Sequence, residues 1–195
     1  MPVSMQRERD GGVKEPYCSR RLERVFADSF GCSHRTRLVG GAAEPLYQPA
    51  ASEQGWHQLH YRADYFASAL HEVAHWCIAG KRRRGQVDYG YWYHADGRDA
   101  DQQRAFEAVE FKPQALEWFF SRACGWTFTV SVDNLSSTNQ QWDSGPFSAR
   151  ILAQVWDWQA TGLPARADVF FRALSAEFGG AVEPRALDFS LAELA

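Results

Sequence analysis

The stretch Asp64-Tyr65-Phe66-Ala67-Ser68-Ala69-Leu70-His71-Glu72-Val73-Ala74-His75-Trp76-Cys77-Ile78-Ala79-Gly80 decides how this chain is read. Phe66, Leu70, Val73, Ala74 and Cys77 recur at spacings of three and four, the mark of an amphipathic helix over residues 64–79. Gly80 is expected just beyond it as a left-handed C-terminal residue. His71 and His75 are four apart, so a helix stacks them one above the other with side-chain roots ~5–6 Å apart. Two imidazole nitrogens so placed can reach one ion at ~2.0–2.1 Å, and neutral imidazole suits zinc, iron and other borderline metals. Glu72 lies beside them, where it would act on a metal-bound water or hold a ligand, and is the candidate catalytic residue.

Two imidazoles rarely hold a metal alone, so a third ligand is sought downstream. Asp99 reads as the cap of a second helix from Ala100, with Gln102 completing a capping box. Along that helix Gln103, Glu107, Glu110 and Gln114 form one polar stripe beside Phe106, Val109, Phe111 and Leu116. Glu110 comes just before Pro113, which either kinks the helix or splits off a second piece, Gln114–Ala123. Glu110 is the expected third ligand, with Glu107 its rival or a supporting partner. The plain alternative is an amphipathic helix whose histidines face solvent or satisfy core hydrogen bonds. The intervening Glu72 and the acidic helix downstream favour the metal site.

Outward from this centre the pattern is mixed. Leu22, Val25, Phe26 and Phe30 predict a helix over 19–30, ended by Gly31. Thr36–Val39 reads as a short strand, Pro45 and Pro49 bracket an extended piece, and Trp56–Tyr61 fits a strand weakly. Tyr89–Tyr93 and Gly125–Val132 also suit strands, with Asp96-Gly97 a turn and Asp133–Gly145 a polar loop. Pro146 opens a helix running to Thr161, and a last helix spans Ala167–Phe178. Residues 1–16 are polar and read as a flexible tail. The expectation is one α+β domain over 17–195, helix-rich with a small sheet, its histidine helix packed on the acidic one.

Composition narrows the function. A net charge of −3 exerts no global pull toward nucleic acid or membrane, and no apolar run approaches the ~20 residues of a membrane span. No signal peptide is visible, so a cytoplasmic protein is expected. Cys18, Cys32, Cys77 and Cys124 lack the close pairing of a thiolate zinc site, which leaves reduced, mostly buried thiols. Eight Trp in an aromatic share of 14% call for burial or for a binding surface.

Several words extend the pattern beyond the two histidines. Ala69-Leu70-His71-Glu72-Val73-Ala74-His75-Trp76-Cys77-Ile78-Ala79-Gly80-Lys81 is followed by Asp88-Tyr89-Gly90-Tyr91-Trp92-Tyr93 and by Asp96-Gly97-Arg98. Phe106-Glu107-Ala108-Val109-Glu110-Phe111-Lys112-Pro113-Gln114-Ala115-Leu116-Glu117-Trp118 then completes the core, with fainter echoes at Glu44–Tyr47 and Val130–Leu135. In order and spacing these words resemble the elongation factor P hydroxylase family. The resemblance implies an enzyme that hydroxylates the lysine of elongation factor P after a β-lysyl group has been attached. It implies a two-His-one-carboxylate centre, with His71 and His75 as the histidine ligands and Glu110 as the carboxylate.

Hydroxylation of an unactivated C–H bond requires a redox metal and O₂, so Fe(II) is the expected cofactor. Zinc can occupy such donors but has no redox chemistry. Tyr91, Trp92 and Tyr93 are candidates for a substrate wall, since aromatic faces attract ammonium groups, or else pack a strand. Lys81–Arg84 would either dock an acidic protein partner or complement the preceding helix dipole. The competing function is a zinc metallopeptidase with His71, His75 and Glu110 on zinc and Glu72 as base. Lys81 stands where a metzincin would place its third histidine, which removes that variant. A non-enzymatic metal- or protein-binding module is the third class.

Overall fold

In the computed structural model, which describes residues 17–88, 99–131 and 144–194, the first helix outruns its expected end. α1 (Ser19–Phe26) passes through a π-helical turn, Ala27–Gly31, into α2 (Cys32–His34), and stops at Arg35 with a left-handed φ of 48°. Phe30 packs on Phe26 and Trp76 with ring centroids 5.2 and 4.8 Å apart, and that burial carries the helix past Gly31.

Three strands follow: β1 (Thr36–Ala42), β2 (Leu46–Gln48) and β3 (His57–Arg62). β3 is central, parallel to β1 and antiparallel to β2. Leu38, Leu59 and Tyr47 align across the sheet as one buried row. The weakly signalled Trp56–Tyr61 is therefore the middle of the sheet. β1 continues beyond Val39 because Gly40 and Gly41 form an irregularity in the register rather than a break. Gly40 lies so close to the Ala63 carbonyl that a Cβ would stand 2.9 Å from its oxygen, and Gly41 has φ +89°.

α3 (Phe66–Ile78) packs on β3 and presents Leu70, Val73 and Ala74 to the core with no exposure. Gly80 is not its left-handed terminator. Ala79 is already extended, and the Arg166 guanidinium satisfies the terminal carbonyls of Trp76, Cys77 and Ala79 at 3.0, 2.9 and 2.7 Å. A cap from elsewhere in the chain makes the local glycine device unnecessary.

α4 (Ala100–Cys124) begins with the expected Asp99–Gln102 capping box. Pro113 does not split it. Val109, whose carbonyl loses its helical donor there, is 48% exposed, so water can take the place of the missing N–H. From residue 113 to 121 every position is buried, as in a helix surrounded by other elements. α4 packs against α3, α5 (Gly145–Thr161) and α6 (Ala165–Phe178). Pro146 opens α5, and Gly179, with φ +74°, closes α6, which starts two residues earlier than expected.

The segment after Gly125 forms no strand over residues 126–131. The Gln114 side-chain amide takes the pairing instead: its Nε2 donates to the Ser131 carbonyl at 2.7 Å and its Oε1 accepts from the Ser131 N–H at 3.1 Å. The result is a single compact α+β domain, helix-rich with a small sheet, as the sequence implies. All four thiols are free; Cys77 and Cys124 are buried, whereas Cys32 is exposed. The expected tail 1–16, the Tyr89–Tyr93 strand, the Asp96-Gly97 turn and most of the 133–145 loop lie outside the described residues.

Candidate metal centre

α3 and α4 lie side by side, and their facing surfaces carry polar residues in an otherwise apolar contact. His71 and His75 come from α3; Glu110 and Glu117, two helical turns apart, come from α4. His71 Nε2 and His75 Nε2 are 3.0 Å apart, and Glu110 Oε2 is 3.4 Å from the first and 3.3 Å from the second. Donors bound to one ion at ~2.1 Å are separated by ~3.0 Å at right angles and ~3.4 Å at tetrahedral angles. All three edges fall within that range. Among the described residues these three side chains form a cluster able to hold a metal.

Glu117 completes the arrangement. Its Oε2 lies 2.8 Å from His71 Nδ1, so Nδ1–H donates to the carboxylate and Nε2 is turned toward Glu110. The Nδ1 of His75 is buried with no partner among the described residues. His71 is thus the more firmly oriented of the two imidazoles.

The electrostatics follow from burying acids beside bases. Burial opposes a charge on His71, but the hydrogen bonds it donates to Glu110 and Glu117 outweigh it and raise its pKa well above the ordinary value. Burial works against ionised Glu110 too, yet His75 and His71 hold its carboxyl well below the usual range. Two buried carboxylates facing two imidazoles suit a divalent cation, whose charge balances the pair of acids while both rings stay neutral. Donor set, spacing and charge all fit a bound metal.

The other sequence candidates fall elsewhere. Glu107 is half-buried, accepts from Gln103 Nε2 at 3.2 Å and is not part of the converging cluster. Glu72 is only 5% exposed, and burial pushes its carboxyl up. It too is outside the cluster and borders a cleft whose lining includes Tyr47, Leu59, His75, Trp76 and Arg84. Tyr91, Trp92 and Tyr93 lie outside the described residues. The basic run is not uniform: Lys81 and Arg82 are exposed, Arg83 pairs with Asp88, and Arg84 lies over the Trp76 ring at 5.9 Å.

Glu117 is the residue that sequence reasoning leaves unassigned. The signal was present: one further step of three beyond Gln114 reaches it, and it repeats Glu110 after seven residues.

A family model described as elongation factor P hydroxylase matches residues 25–189 of this chain. The chain is also similar to a protein of Haemophilus influenzae named elongation factor P lysine hydroxylase. The two are 43% identical over 152 residues, which covers 78% of this chain and 84% of the other.

Proposed function

The chain belongs to the elongation factor P hydroxylase family, and on that premise we propose that it hydroxylates a lysine side chain of elongation factor P at a metal held by His71, His75 and Glu110. The observation that carries the metal reading is the convergence of two imidazole nitrogens and one carboxylate oxygen with edges of 3.0–3.4 Å. We place the activity in one domain over residues 17–195 of a cytoplasmic protein, and the substrate form as factor P already carrying a β-lysyl group on that lysine. Among the described residues no helix is long and apolar enough to cross a membrane.

Fe(II) is the occupant we propose, because zinc accepts the same donors but cannot change oxidation state. When bound, iron supplies the redox chemistry by which one atom of O₂ enters a C–H bond, the other leaving as water with two protons and two electrons from an external donor. The protein's part is positional. His71 and His75 offer Nε2 lone pairs, Glu110 supplies negative charge, and Glu117 holds the His71 tautomer and ring plane. Leu70, Ala74 and Leu116, the chain neighbours of His71, His75 and Glu117, are fully buried in the core.

A zinc peptidase is not favoured. The family model and the named relative both point to hydroxylation of elongation factor P and not to peptide hydrolysis. The test is mass spectrometry of β-lysylated elongation factor P after incubation with the protein, Fe(II), O₂ and a reductant. Wild type should add the mass of one oxygen atom and His71→Ala should not. An unmodified factor with iron-loaded wild type would overturn the reading.

A further inference from the structure

The helix that carries the histidines has a second polar face. At about 100° per residue, His71 and His75 stand about 40° apart around the axis of α3. Glu72, Trp76 and Ala79 cluster further round, centred roughly 110° from the His71 direction. His75 lies on the boundary and belongs to both faces: its Nε2 meets Glu110, and its ring also lines the cleft.

The cleft suits a long, mostly aliphatic side chain with a charged tip. Tyr47, Leu59 and Trp76, each under 9% exposed, give it apolar walls. Its rim is held in place, since Tyr47 and Asp88 exchange backbone hydrogen bonds of 2.6 and 3.0 Å and the Tyr47 hydroxyl donates to the Arg84 carbonyl at 3.0 Å. Of the charged groups in its lining, Arg83 and Asp88 pair with each other and Arg84 lies over the Trp76 ring, which leaves Glu72 as the acid without an ion pair among the described residues. It is nearly fully buried, makes no hydrogen bond with any described residue and lines the cleft with a carboxyl free to take a donor.

We propose that the cleft receives the substrate lysine-type side chain and that Glu72 binds its ammonium group. Glu72 is then a substrate-binding residue rather than a group acting at the metal. The assignment rests on the hydroxylase reading and gives that reading a direction of approach, along the Glu72–Trp76 face with His75 at the meeting point.

The test uses iron-loaded wild type, Glu72→Gln and Ala79→Phe, the last filling the cleft from its wall without touching Glu72. Each is titrated calorimetrically with β-lysylated elongation factor P and with a version whose target lysine is methionine, alongside iron content and steady-state kinetics. Loss of one charged contact should raise KM and Kd of Glu72→Gln about ten- to a hundredfold, with iron content unchanged and kcat altered far less. Against the methionine factor, wild type and Glu72→Gln should bind alike, and Ala79→Phe should also raise KM. A Glu72→Gln protein that loses kcat or iron while KM and Kd hold would overturn the assignment and return Glu72 to the metal. Should that variant not fold, an unchanged KM in Ala79→Phe overturns it alone. An inactive wild type that binds neither factor overturns the hydroxylase reading, and the cleft assignment with it.

Discussion

Replacing Glu117 separates a metal centre from a fortuitous cluster. Its carboxylate accepts from His71 Nδ1 at 2.8 Å, with only 11% of the side chain exposed, so solvent screens the contact little. A hydrogen bond with one charged partner is worth about 1.5–3 kcal/mol and a neutral one about 0.5–1.5 kcal/mol. Glu117→Gln keeps an acceptor but loses the charge, roughly 1 kcal/mol, or about fivefold in affinity. Glu117→Ala removes the orienting contact altogether and should cost about ten- to a hundredfold, the usual effect of losing a partner behind a metal-bound histidine. The assay is anaerobic titration of metal-free protein with Fe(II), repeated with Zn(II) to separate donor geometry from redox chemistry. Glu110→Ala should abolish stoichiometric binding and Glu107→Gln should bind as wild type. A Glu117→Ala protein within about twofold of wild type would show that the His71 ring is held by packing, and the role given to Glu117 would be wrong. Equal losses from Glu107→Gln and Glu110→Ala would undo the choice of third ligand.

Metal affinity should rise with pH further than an ordinary histidine site allows. The two carboxylates keep His71 protonated above the usual imidazole range, so a metal must displace that proton, and affinity climbs until the raised value is passed. A titration series from about pH 6 to about pH 9 that is flat above neutrality would contradict this. In metal-free protein the same shift has the opposite sign for stability. The His71 contribution is complete below the ordinary imidazole value and is lost as pH rises through the raised folded value, so the melting temperature should decline on the alkaline side. Arg166→Ala strips the cap from the three terminal carbonyls of α3 and removes a guanidinium 4.9 Å from the Trp76 ring. We expect a loss of about 2 kcal/mol, a fall of about 4–8 °C in Tm by calorimetry, with Lys at this position restoring less than half; an unchanged Tm would show that α3 needs no such cap.

What was legible in the sequence was what short-range chemistry decides. The apolar spacing of Phe66, Leu70 and Val73, the Asp99–Gln102 box and Pro146 at a helix start each depend on neighbours within a few residues. Glu110 could be picked from its stripe because a helix fixes which side chains share a face. The failures involve distant partners. Gly80 was a sound terminator by local rules, but Arg166, far along the chain, occupies the carbonyls first. The residues after Gly125 have strand composition, yet the Gln114 amide satisfies the Ser131 backbone and no strand pairing forms. Glu117 sits between Leu116 and Trp118 in a stretch that reads as core. Only the position of α3 shows that its carboxylate meets an imidazole rather than water.

The same dependence on packing governs what the HExxH spacing can mean. The pattern fixes that the two histidines share a face and that the glutamate lies about 100° from the first of them. It does not fix where the ion sits relative to that glutamate. Here both acids that meet His71 come from α4, so the ring is drawn toward the α3–α4 contact, while β2 and β3 supply Tyr47 and Leu59 on the other flank beside Glu72. A carboxylate in peptidase spacing is thereby left facing a cleft walled by the sheet. The third ligand's origin does not by itself decide whether the middle glutamate works on a bound water or on a substrate, because the same three donors also serve a zinc peptidase; the sheet-walled cleft that Glu72 lines is what carries the substrate role.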